Sequence, residues 1–82
     1  MPTTLRELVD KYLAVGGAYG KAVPISALGL GREEAERLFS SLDEDYHISR
    51  YLHFSQVSGP AYNINGFEQT HISIDSEIQS IL

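Results

Sequence analysis

The hydrophobic period of this chain changes after Leu42, and that change restricts the fold more than any other feature. Up to Leu42 the apolar residues recur at helical spacing, and between Ile48 and Ile74 they tend to recur at every second position. Leu5, Leu8, Val9, Tyr12 and Leu13 form one helical face between Thr4 and Val15, and Ala35, Leu38, Phe39 and Leu42 form another between Arg32 and Asp43. Ile48, Leu52 and Phe54 then alternate with polar residues, as do Thr70, Ile72 and Ile74 within the run Phe67–Ile74. Helices first and strands afterwards is the pattern of an α+β domain. At 82 residues there is room for one domain with one core, spanning positions 1–82.

Local signals place the element ends. Thr4 with Glu7 makes a capping box, and Gly16-Gly17 supplies a residue for the left-handed region where the first helix stops. Ala18–Ile25 carries too much Gly and Pro for a helix; it reads as a connector in which Ala22–Ile25 can pair only as a short edge strand. Ser26 can cap a very short helical turn through Leu28, and Gly29-Leu30-Gly31 bends the chain toward the next helix. Glu33, Glu34 and Glu36 suit the first turn of that helix, whereas Asp43-Glu44-Asp45 opposes the dipole at its end. Residues 57–66 form either one long hairpin loop, or a short strand at Ala61–Ile64 joined to the last run by a type I′ turn at Asn65-Gly66. Asp75 can cap a final amphipathic run in which Ile74, Ile78, Ile81 and Leu82 recur at helical spacing, a short C-terminal helix that either folds back on the core or meets another chain.

Charge and residue chemistry remove several function classes. Without cysteine there is no disulfide framework, thiolate nucleophile or Cys-based metal site. Three histidines remain; a register placing His53 across from His71 would bring two imidazoles together, but the nearest carboxylates are only Asp75 and Glu77. Gly16–Ala22 lacks the first glycine and the magnesium-binding hydroxyl of a P-loop, and no serine has a nucleophile context. These features predict a protein that is not an enzyme and takes no cofactor. No apolar run reaches the ~18 residues of a membrane span and no leader opens the chain, so the expectation is a soluble, cytoplasmic protein with no membrane partner.

The order helix, connector, short helix, turn, helix, hairpin resembles a winged helix-turn-helix domain. The likeness rests on Ile25–Leu28 for the second helix, Gly29-Leu30-Gly31 for the turn, Arg32–Leu42 for the recognition-type helix, and Tyr46–Leu52 leading into the wing. The second helix is about one turn shorter than is usual in that family. The resemblance implies DNA binding by the 32–43 helix in transcription regulation, with Arg32, Arg37, Ser40 and Arg50 as the contact residues. The charge balance argues against it. Lys and Arg number six against eleven Asp and Glu, a net charge of −5, and residues 31–45 hold two Arg among six acids. A typical DNA site neutralises roughly 6–10 phosphates. On a solvated face, Glu33 would instead pair with Arg37. The expectation that accommodates the acidity is a protein-interaction or dimerisation module that keeps this frame. Its interface would involve the C-terminal segment, Ile78, Ile81 and Leu82, with Tyr51 and Tyr62 from the set Tyr46, Tyr51, Tyr62 and Phe67 of aromatic side chains available for contact.

Overall fold

A computed structural model describes residues 4–82. Helix α1 (Leu5–Gly16) begins at the Thr4/Glu7 capping box and ends where Gly17, at φ 80°, donates its N–H to the Leu13 carbonyl. Strand β1 (Val23–Pro24), a 3₁₀ turn (Ile25–Leu28) and α2 (Arg32–Glu44) follow. A single helical turn, α3 (Tyr46–Ser49), leads to β2 (Leu52–Ser55), β3 (Tyr62–Ile64), β4 (Phe67–Gln69), β5 (His71–Ile74) and a closing 3₁₀ helix (Ser76–Ile81). The architecture is α+β and winged-helix-like, with two antiparallel sheets: a three-stranded one in the order β1-β5-β2, and the hairpin β3-β4.

The helices bury the faces that their periodicity marks. Leu8, Val9 and Tyr12 of α1 meet Ala35, Phe39 and Leu42 of α2 and the inward residues Leu52, Ile72 and Ile74 of the sheet in one core. Phe39 meets Phe54 edge-on at 5.7 Å between ring centroids. Tyr12 is wholly buried, and its hydroxyl donates to the Lys21 carbonyl, which ties α1 to the connector.

The short edge strand that Ala22–Ile25 allowed is present: Val23 and Pro24 pair with Ile72 and His71, and Pro24 leaves the outer edge short of one N–H. Three other local expectations are corrected. The 3₁₀ turn of the connector starts after Pro24 without a side-chain cap, so Ser26 does not cap it. The strand beginning near His47 starts instead at Leu52, because Asp45 accepts from the His47 N–H and nucleates α3. The acid that opposed the end of α2 is therefore the cap of the next turn. The run Phe67–Ile74 divides at Thr70 between the two sheets.

Thr70 is the buried corner of this division. Its N–H donates to the Ser55 carbonyl and its carbonyl accepts from Ile25, while its Oγ1 accepts from the Val57 N–H at 3.0 Å and lies 2.8 Å from His71 Nδ1. The β2–β5 register places His53 opposite Ser73 and His71 opposite Ser55, so the two histidines lie diagonally on the outer face rather than opposed. Replacing Thr70 by Val removes the acceptor used by Val57 and is expected to cost about 1–3 kcal/mol in urea unfolding, whereas Thr70→Ser, which keeps the hydroxyl, is expected to cost about 1 kcal/mol or less.

Candidate interaction surfaces

The helix that would read DNA is engaged by the protein's own hairpin. Arg32, Glu36 and Ser40 stand at four-residue intervals on α2, and at 100° per residue they form one polar stripe that climbs about 6 Å per step. Along β3 the outward backbone groups recur at every second residue, a step of about 6.7 Å. The two repeats nearly coincide, and three bonds follow. Arg32 Nη1 donates to the Ala61 carbonyl at 2.7 Å, Asn63 N–H donates to Glu36 Oε2 at 2.8 Å, and Asn65 N–H donates to Ser40 Oγ at 3.2 Å. The stripe thus serves β3 as a third strand would, and it covers an edge that a two-stranded ribbon otherwise leaves open.

The clasp is reinforced at both ends. At one end the Arg32 guanidinium lies 5.0 Å from the centroid of the Tyr62 ring and 3.7 Å from the Glu36 carboxylate. The ion pair on the helix thereby joins Arg32 to Glu36 instead of Glu33 to Arg37. At the other end Asn65 Nδ2 donates to the Ser40 carbonyl and to Asp43 Oδ2, both at 3.0 Å. The turn is type I′ in character, with Asn65 at φ 53° and Gly66 at φ 90°, which decides the alternative that the sequence left open. Beneath it Tyr62 and Ile64 enter the core.

Of the four residues expected to contact DNA, two are hydrogen-bonded within the protein. Arg32 and Ser40 belong to the clasp, and Arg37 lies about 140° around the helix from Arg32. Arg50 lies beyond α3, its guanidinium 5.3 Å from the Tyr51 ring centroid and 6.0 Å from that of Tyr46.

The residues expected at a protein interface divide in the same way. Tyr51, Tyr62 and Ile78 are buried, so these side chains complete the core and lend a partner no surface. Ile81 and Leu82 remain at the surface, 42% and 37% exposed. Leu82 borders a shallow groove of about 330 Å3 lined also by Val9, Leu13 and Tyr19, with Arg6 and Asp10 beside them. Of the four aromatic side chains expected to be available for contact, Tyr46 and Phe67, 71% and 66% exposed, are at the surface and are the most exposed large apolar side chains among the described residues. A second depression of about 330 Å3, lined by Tyr19, His53, Ser73 and Asp75, collects polar groups on the outer face of the sheet. Among the described residues no three His, Asp or Glu side chains are arranged to hold a metal ion.

Because Arg32 and Ser40 hold the hairpin, substituting them is expected to affect stability. Arg32→Ala and Ser40→Ala should each lower the unfolding free energy by about 0.5–1.5 kcal/mol in denaturant titration, whereas Arg37→Ala should leave it within about 0.5 kcal/mol of the parent. Comparison of the chain with protein-family models, with curated proteins and with solved structures finds no match.

Proposed function

We propose that this chain is a protein-association module built on a winged-helix-like frame, and that it acts by binding rather than by catalysis. The observation that carries the reading is the clasp. On the helix that would enter a DNA groove, Arg32 and Ser40 are committed to Ala61 and Asn65, and the stripe between them contributes the carboxylate of Glu36. The C-terminal segment instead leaves Ile81 and Leu82 at the surface, and Leu82 lines the groove beside α1. Membership of the winged helix-turn-helix family is part of the proposal and is supported by the order of elements and by the β1-β5-β2 sheet. A cytoplasmic setting fits the absence of cysteine, and no helix among the described residues is long and apolar enough to cross a membrane.

The partner we assign to the C-terminal segment is a second copy of the chain. Arg6 and Asp10 line the same groove four residues apart on α1, so a two-fold copy can set each charge against its opposite. Sedimentation over a concentration series is expected to show a dimer that Ile81→Asp combined with Leu82→Asp converts to monomer. A chain that stays monomeric up to millimolar concentration overturns self-association. Binding to duplex DNA at about 50 mM salt, weakening steeply as salt rises, would favour DNA-binding transcription regulation instead.

A further inference from the structure

We propose that Asn65 is a deamidation site whose conversion releases the β3–β4 hairpin from α2. The inference needs no partner and does not depend on the proposed function. Asn65 and Gly66 are both exposed, and Gly66 has no side chain to shield its backbone nitrogen; the space that a Cβ would occupy there is empty to 4 Å. The other asparagine, Asn63, precedes Ile64, whose β-branched side chain crowds the equivalent nitrogen.

The reaction draws only on solvent. The Gly66 nitrogen, after losing its proton to water, attacks Asn65 Cγ. The new N–Cγ bond closes a five-membered succinimide, the Cγ–Nδ2 bond breaks, and Nδ2 takes up a proton and leaves as ammonia. Water then adds to one of the two imide carbonyls and cleaves its bond to nitrogen. The product is aspartate, or isoaspartate when the main chain is left running through the former side-chain carbon.

In the folded chain each reacting group is held. Gly66 N–H donates to Asn63 Oδ1, and Asn65 Nδ2 donates to the Ser40 carbonyl and to Asp43 Oδ2. The clasp therefore guards the residue that closes it, and opening of the turn sets the rate. Once formed, the product cannot restore the contact. An acceptor-only carboxylate replaces a two-hydrogen donor that faced a carbonyl and a carboxylate, each at 3.0 Å. Isoaspartate also inserts a backbone atom into a two-residue turn whose length sets the pairing of Ile64 with Phe67.

The test is to hold the intact chain at mildly alkaline pH and follow residues 63 and 65 by peptide mapping and mass spectrometry. Asn65 is expected to convert well ahead of Asn63, and faster still in Ser40→Ala. In parallel, Asn65→Asp is expected to speed amide hydrogen exchange at Asn63 and at position 65 roughly tenfold while protection at Ile72 is kept, and Asp43→Asn placed with it should return most of that protection. Equal conversion of the two asparagines overturns the proposal. So does an Asn65→Asp chain whose exchange at Asn63 is unchanged, or one that loses protection at Ile72 to the same degree.

Discussion

A helix can satisfy the edge of a β-strand when its side chains repeat at the strand's own interval, and the rest of this structure is arranged around one such match. Four residues of α-helix and two residues of strand advance by similar distances, about 6.0 and 6.7 Å. Arg32, Glu36 and Ser40 exploit that similarity against Ala61, Asn63 and Asn65. The bonds are exposed and individually modest. Their collective effect is positional: they hold a hairpin that is not hydrogen-bonded into the main sheet so that Tyr62 and Ile64 reach the core.

This commitment decides which surfaces remain for other molecules. A polar helix face turned to solvent and a polar face turned to a neighbouring strand use the same residue types. On α2 the neighbouring strand engages the stripe, and the acids of the helix include two that hold the hairpin, Glu36 and Asp43. A further acid, Asp45, starts α3. Much of the negative charge around this helix thus has a local structural use. The exposed large apolar side chains among the described residues lie off α2, at Val15 of α1, Tyr46 of α3, Val57 after β2, Phe67 of the hairpin, and Ile81 and Leu82 at the C-terminal segment.

Thr70 links the two sheets by the same economy of polar groups. A strand that leaves one sheet for another must break its ladder, and the backbone groups freed there need partners. Thr70 meets the need with its own backbone and hydroxyl, joining Ser55, Val57 and Ile25 at one corner. The two sheets are joined covalently through this residue.

Period, caps and turn chemistry act within a few residues, and they determined α1, α2, the alternation along β2 and β5, the left-handed stop at Gly17, the Asp75 cap and the candidate turn at Asn65-Gly66. Arg50 occupies a position where the alternation Ile48, Leu52, Phe54 would place an apolar side chain, and in the structure it directly follows α3. Tertiary structure decided whatever depended on partners distant in sequence. Tyr51, Tyr62 and Ile78 have the composition of an interface and the burial of a core, because a ring or a branched chain does not carry its destination within its neighbours. The clasp spans 22 to 29 residues of chain, and nothing in either segment alone names the other. Local sequence could write both repeats; only folding, by laying one along the other, could make them match.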